Sequence, residues 1–423
     1  MDVPPYCPGL PEHGGQGRSE AGVDRHVQAE KPAPGLSIAL VHWAFPPTVG
    51  GVESHLWWYS RLLASQGHRV TVFTGTRDAL TPGQPGVEVV RHEGLDLSRT
   101  ASATPDAEED LRLWFAMELK RRGIRLVHGH NLHHFSTAPA KALLSLRDEY
   151  ELVLVHTYHS LWRGEENILA AKACGQWDVH FAVSDFLRDA CAEELGIKDV
   201  HRTYLGIDVE SYLRVPELSH TAGTRTGTVL LPARLIPDKG AELAIRAIGR
   251  VVAKNPELDP HLLLMDTPDS VDFHGEKVGF RKHLEGLIAE AGLAGRVGFE
   301  EAGVERMPDL YRRARVVIHP SSYEEPMGLA PLEAMCAARP VIATRMGGLS
   351  ECVGEDGVYG YLVPDRDVDK LAQRIAQLLC DPELARLMGK RGRQRVVTEF
   401  DLAGCYVPDM LRVYRNRLEP PND

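Results

Sequence analysis

The chain has no Cys-x-x-Cys pair among its seven cysteines (Cys7, Cys174, Cys191, Cys336, Cys352, Cys380, Cys405). That spacing argues against a zinc site and offers no disulfide framework, so a reducing, cytoplasmic location is expected. No apolar run approaches the roughly 20 residues that span a bilayer. The N-terminus lacks the basic and apolar stretches of a secretory leader. Positive charge is in deficit, with 48 Lys and Arg against 59 Asp and Glu and a net charge of −11. A nucleic-acid partner held by phosphate neutralisation is therefore not expected, nor is membrane contact. Two nucleotide fingerprints are also missing. The first strand runs into Phe45-Pro46-Pro47-Thr48-Val49-Gly50-Gly51-Val52-Glu53, which is no Gly-x-Gly-x-x-Gly, so hydride chemistry on a dinucleotide loses its main support. No Walker-type phosphate loop is present either.

What the chain does contain is alternation. Apolar β-rich runs at 37–43, 69–74, 87–91, 125–129, 151–157 and 178–183 are separated mostly by helix-length segments. A second series follows at 228–233, 261–265, 296–299, 315–319, 340–344 and 359–363. Strand–helix alternation means a parallel sheet covered by helices, and 423 residues suffice for two such cores. Residues 1–35 carry six Pro and six Gly and read as a disordered tail. The polar, Gly- and Thr-rich stretch 206–227 reads as a linker between a domain at 36–205 and one at 228–400. Helices are predicted at 368–380, 383–398 and 401–417. The cleft between two α/β domains is the default ligand site.

One segment there is dense with chemistry. Residues 315–335 form an apolar strand, a polar turn and a helix start, with Glu325 and Glu333 bracketing the turn. Unpaired amides at Met327, Gly328 and Leu329 and the positive end of the helix dipole suit an anion. The carboxylates suit hydroxyls. Pro331 is tolerated in a first helical turn, where its missing N–H loses no partner. A phosphate flanked by hydroxyl-bearing groups describes a nucleotide sugar. Arg234 and Lys239, in Pro232-Ala-Arg-Leu-Ile-Pro-Asp-Lys-Gly240, flank a loop entering a helix and can converge on the same anion. Gly50 and Gly51 open another helix where backbone can approach a ligand closely.

Taken together, Gly-Gly-Val-Glu at 50–53, Thr-Tyr-His-Ser at 157–160, Ala-Arg-Leu-Ile-Pro-Asp-Lys-Gly at 233–240, Glu-Pro-Met-Gly-Leu-Ala-Pro-Leu-Glu at 325–333 and Pro-Val-Ile-Ala-Thr with Gly347-Gly348 resemble the retaining glycosyltransferases of family 4. The resemblance covers roughly residues 36–417. It implies a GT-B fold: two Rossmann-like parallel-sheet domains facing across a cleft, the acceptor mainly on the first and the nucleotide sugar on the second. A C-terminal helix, 401–423, would cross back to the first domain. It also implies roles. Arg234 and Lys239 would grip the diphosphate, Glu325 the donor sugar and Glu333 the ribose, with His159 beside the sugar and the Gly50-Gly51 loop opposite the phosphates. No cofactor or metal is expected, and a uridine diphosphate sugar is the preferred donor. Two departures stand out: Asp266-Thr-Pro-Asp269 where a Gly-rich turn is common, and Leu205 where Asn is frequent.

Other clusters read as structure. His128, His130, His133 and His134 at a strand end, with Trp162 beyond, read as an acceptor wall rather than a metal cluster. Asp365-Arg-Asp367-Val-Asp369 reads as a helix N-cap region rather than an Asp-x-Asp metal motif. Trp57-Trp58-Tyr59 reads as core with one exposed ring, and Lys120-Arg121-Arg122 as a solvated helix end. The expected reaction is hexosyl or amino-hexosyl transfer to a small polar acceptor, possible acceptors being an aminocyclitol or amino-sugar intermediate of natural-product biosynthesis. Cell-envelope glycan or glycolipid synthesis, an epimerase or phosphorylase on the same architecture, and a non-catalytic nucleotide-sugar sensor are the alternatives.

Overall fold

A computed structural model describes residues 34–48, 50–76, 83–96, 105–219, 226–266 and 277–419. Seven strands make the first sheet: β1 Ser37–Val41, β2 Arg69–Thr74, β3 Val87–Arg91, β4 Leu126–His130, β5 Val153–Tyr158, β6 Val179–Ala182 and β7 Val200–Arg202. Their order is β3-β2-β1-β4-β5-β6-β7, every pairing parallel. Six strands make the second: β8 Thr226–Leu231, β9 Asp259–Met265, β10 Val297–Glu300, β11 Ala314–His319, β12 Val341–Thr344 and β13 Tyr361–Val363, in the order β10-β9-β8-β11-β12-β13 and again parallel. In each sheet the order reverses beside the first strand, and the carboxyl ends there leave the crevice in which such sheets bind ligands. The short edge strand β7 was not anticipated, because three residues carry too little periodicity to read.

The central strands are buried along most of their length, since helices cover both faces. Ile38, Ala39, Leu40 and Val41 of β1 and Val229 and Leu230 of β8 are fully buried. The helix Ala241–Lys254 packs with apolar positions 241, 244, 245, 247, 248 and 251, a spacing that keeps one face inward. Asp367 accepts from the Lys370 amide at 2.8 Å and so caps the helix Val368–Cys380, which is the role read for the acidic cluster. Trp57 and Tyr59 are core residues, with Trp58 half-buried. Arg122 is tied to Glu88 by two bonds of 2.7 and 2.6 Å, so that helix end is paired rather than loosely solvated.

The segment expected to be a plain linker is more ordered. It carries a short helix, Val209–Leu213, and Ile207 exchanges backbone bonds with Phe400 and Leu402 at 2.9 and 3.0 Å. The fully buried Arg339 donates to the carbonyls of Tyr311 and Pro216 at 2.7 and 3.0 Å, pinning the stretch to the second lobe. Residues 220–225 of the expected linker, most of the 1–35 tail and Thr267 to Asp269 lie outside the described residues.

Beyond Phe400 the chain returns to the first lobe through the helices Leu402–Tyr406 and Val407–Leu418. Tyr414 hydroxyl pairs with Tyr59 hydroxyl at 2.7 Å and with the His128 ring, whose other nitrogen faces Thr157 Oγ1 at 2.7 Å. The crossing needs Gly206, because a Cβ there would stand 2.4 Å from Leu402 Cα and 2.6 Å from its nitrogen. Backbone cannot yield as a side-chain tip can. Gly206→Ala is expected to cost about 1–3 kcal/mol, the usual scale of overpacking. Urea unfolding at neutral pH measures it, and an unchanged midpoint would show that the crossing tolerates a side chain.

Candidate active site

Arg234, Lys239, Glu325, His159, Gly50, Gly51, Met327, Gly328, Leu329, Glu333 and Trp162 all line one cavity of about 790 Å³ between the lobes. They come from distant segments brought together by the strand ends. β8 delivers the loop with Arg234 and Lys239, β11 delivers Glu325 and the helix Leu329–Cys336, and β1 leads to the glycine loop. Gly51 and Leu329 face each other across the opening, a Cβ on Gly51 lying 3.8 Å from Leu329 Cδ1.

Local geometry on the second lobe follows from glycine. Gly240 has φ of +81°, and a Cβ on it would stand 2.1 Å from the Pro320 carbonyl oxygen. Only glycine both turns there and lets the helix start press on the loop after β11. Lys239 Nζ then reaches Glu325 Oε1 in a close ion pair, and His319 Nε2 stands 3.1 Å from the same oxygen. Burial alone would raise the carboxyl pKa of Glu325, but the Lys239 charge and the His319 bond outweigh it and hold the group well below the usual range.

Glu333 is the opposite case. Its carboxyl is pushed up to about 7 by loss of hydration, with hydrogen bonds from Tyr311 and Tyr212 pulling only partly the other way. Tyr311 hydroxyl donates to it at 2.9 Å. Two carboxylates on the same turn and helix start thus differ in charge state, Glu325 ionised and Glu333 titrating near neutrality.

The turn amides divide. Gly328 N–H is taken by Cys352 Sγ at 3.2 Å, which corrects the expectation that all three turn amides face an anion. Gly328 contributes its missing side chain instead, since a Cβ would stand 2.7 Å from Leu349 Cδ2. The Leu329–Cys336 helix begins there without a side-chain cap, so its dipole and first-turn amides open on the cavity.

On the first lobe, His159 lines the cavity while His130, His133 and His134 lie beneath its surface, at 0%, 0% and 2% exposure. His130 ends β4, and His133 and His134 lie in the turn that follows it. His130 Nδ1 meets His159 Nε2 at 2.9 Å, and His133 and His134 turn toward Ser160. Other first-lobe residues that line the cavity include His42, Trp43, Glu53, Asn131, Ser160 and Trp162. His42 Nδ1 donates to the His130 carbonyl at 2.6 Å, and its Nε2 stands 3.2 Å from Glu53 Oε1. Glu53 and His319 sat inside the quoted motifs without a role, because a strand-end histidine and a first-turn glutamate reveal their partner only in three dimensions. Glu351 escaped notice altogether. It reaches from the second lobe to cap the first-lobe helix Asp185–Leu195, accepting from the Asp185 and Phe186 amides at 2.8 Å each.

With this geometry in place, the comparisons decide the family. The family model described as Glycosyltransferase Family 4 matches residues 49–211, and that described as Glycosyl transferases group 1 matches residues 219–395. A protein named D-inositol 3-phosphate glycosyltransferase, from Kribbella flavida, is 31% identical over 379 residues, 81% of this chain and 85% of its own. The chain belongs to the family 4 glycosyltransferases. A glycogen synthase of Mycobacterium tuberculosis is 27% identical over 404 residues, covering 86% of this chain and 91% of that one. Among solved structures, sucrose-phosphate synthase from Thermosynechococcus elongatus superposes with a TM-score of 0.72 at 24% identity, covering 90% and 99% of the two chains. Anabaena HepE, solved with UDP and glucose, gives 0.70 at 19% identity, covering 89% and 100%. The protein is thus a glycosyltransferase that uses a nucleotide sugar, built on the GT-B fold. No helix among the described residues is long and apolar enough to cross a membrane.

The buried histidines of this family 4 enzyme set its acid tolerance. Burial lowers His55 to about 4 and His128 and His133 to about 3, and drives His130, His134, His156 and His159 well below the ordinary 6.5. Above pH 6.5 these groups are neutral in both states and contribute nothing to pH dependence. Below it the unfolded chain binds protons that the folded one refuses, so each costs up to about 1.4 kcal/mol of stability per pH unit until its folded pKa is reached. The melting temperature should therefore be flat above pH 7 and fall steeply between 6.5 and 5. A flat profile down to pH 5 would contradict the neutral, buried assignment.

Proposed function

We propose that this glycosyltransferase moves a hexosyl or amino-hexosyl group from a uridine diphosphate sugar to a small polar acceptor, with retention at the anomeric carbon and without a metal ion. The observation that carries the reading is the convergence of Arg234, Lys239 and the start of the helix Leu329–Cys336 on one cavity wall, opposite Gly50 and Gly51. Cleavage of a sugar–diphosphate bond leaves an oxocarbenium-like sugar and negative charge on the departing phosphate oxygen, so fixed cations and amides at that oxygen lower the barrier most. Arg234 and Lys239 supply the positive charge there that a divalent ion would otherwise supply. Glu325, ionised and anchored by Lys239 and His319, accepts from hydroxyls of the donor sugar. Glu333 accepts from the ribose hydroxyls.

His159 presents a neutral ring beside the sugar, held by its backbone bond of 2.7 Å to Asn131 Oδ1 and its ring contact with His130. In this reading the leaving phosphate takes the acceptor's proton on the face it vacates, and that gives retention. Relatives named for inositol phosphate, glycogen and sucrose phosphate chemistry support a hydroxyl-bearing acceptor, and an aminocyclitol or amino sugar falls within that class. The solved UDP complexes of Anabaena HepE support the uridine donor.

Arg234→Ala should lose more than about a hundredfold in turnover under donor saturation, the scale of one electrostatic donor. The same assay on the wild type should keep its rate in excess EDTA. Retained turnover in the variant would remove Arg234 from the reacting centre, and complete loss with chelator would overturn metal independence.

A further inference from the structure

The cavity wall contributed by the first lobe is shaped by a strained loop. Asn131 and Phe135 hold φ of +50° and +68°, left-handed backbone that side chains resist unless their surroundings impose it. Asn131 is fixed by its bonds to the His159 amide at 2.7 Å and to Ser160 Oγ at 3.1 Å, and the Phe135 amide donates to Asn167 Oδ1 at 2.8 Å. The outcome is an aromatic assembly. Phe135 stands edge-on to Trp43 at 5.8 Å and 86°, and edge-on to Trp162 at 5.3 Å and 89°. His134 braces Trp162 from behind at 4.3 Å. Both indoles line the cavity.

Charge on this wall is lopsided. Among the described residues, both cations that line the cavity, Arg234 and Lys239, belong to the second lobe. The first lobe's one charged lining side chain of fixed sign is Glu53, set against His42. Arg163, next to Trp162, is committed to Glu194 at 2.9 Å and to Glu324 at 3.2 Å. The histidines beneath are held neutral by burial. A phosphate ester placed here would bring a dianion beside a buried carboxylate, and among the described first-lobe residues that line the cavity there is no Lys or Arg to meet it, which low local polarity makes unfavourable. A polyol ring meets the opposite situation, since its C–H face can lie on an indole while its hydroxyls reach polar groups.

We propose that the wall of Trp43, Trp162, Ser160 and the His42–Glu53 pair selects a ring-shaped, unphosphorylated polyol acceptor, a cyclitol or a pyranose, and that Trp162 is the platform on which the ring rests. This assignment rests on the glycosyltransferase reading above.

The test uses the full chain with saturating UDP-sugar, and a panel of cyclitols and pyranosides each paired with its own monophosphate. The unphosphorylated member of each pair should have the higher kcat/KM by at least about tenfold. Trp162→Ala should raise the acceptor KM by at least about tenfold with kcat within about threefold, Trp162→Phe should recover most of it, and the rise in Tm caused by nucleotide sugar alone should be unchanged in both. Equal or better use of the monophosphates would overturn the assignment, as would an unchanged acceptor KM in Trp162→Ala. Failure of every acceptor while the nucleotide sugar still raises Tm would overturn the acceptor class and leave the donor site standing. Absence of that rise in the wild type would overturn the donor reading and this one with it.

Discussion

A lysine ammonium and a glutamate carboxylate meet at the floor of the cleft, and most of the site is arranged around their contact. Lys239 and Glu325 lie 86 residues apart in the chain, one at the end of the loop after β8 and the other on the turn after β11. A buried pair of this kind is weak evidence for stability, because desolvating both charges consumes much of what their attraction returns. What it supplies is position. Glu325 is held ionised by Lys239 and His319, Tyr323 stands with its ring 5.6 Å from the ammonium, and Gly240 is placed so that only a residue without a Cβ can follow Lys239. In the proposed reading, the cation and the carboxylate together fix where a phosphate and a sugar lie relative to the helix start at Leu329.

The two lobes are held around that floor by contacts that do not belong to the chemistry. Glu351 of the second lobe caps a first-lobe helix and receives the Tyr204 hydroxyl at 3.2 Å. The Leu205 amide donates to Met327 Sδ at 3.3 Å, and Arg163 reaches Glu324. The C-terminal helix closes the loop by bonding Tyr414 to Tyr59. These polar contacts accompany a buried apolar cluster that contains residues of both lobes, among them Leu205 and Met327.

Much of this was legible in the sequence for a physical reason. Parallel strands buried on both faces carry apolar runs, so β1, β8 and β11 announced themselves by Ile38–Val41, Val229–Leu231 and Val316–Ile318, and glycine-plus-helix punctuation marked the loops that carry Gly50, Arg234 and Glu325. The sequence was silent where a role depends on a partner from another segment. Glu53 needs His42 to be noticed, Glu351 needs the amides at Asp185 and Phe186, and the raised pKa of Glu333 comes from a burial that only the folded chain shows. The histidine cluster misled in the same way. Its composition suggested a cavity surface, but the turn after β4 buries His133 and His134 with His130, and Trp43, Ser160 and Trp162 line the cavity instead. The Gly328 amide also looked available until Cys352 was seen beside it.

The central claim is that a diphosphate is gripped between the lobes by Arg234, Lys239 and the helix start. Calorimetric titration of uridine, UMP and UDP into the wild type and into Lys239→Met tests it most directly. Affinity should climb from uridine to UMP to UDP in the wild type, and the step from UMP to UDP should shrink by about tenfold or more in the variant, the loss of one charge-assisted contact. Equal binding of UMP and UDP by the wild type, or an undiminished step in the variant, would contradict the account.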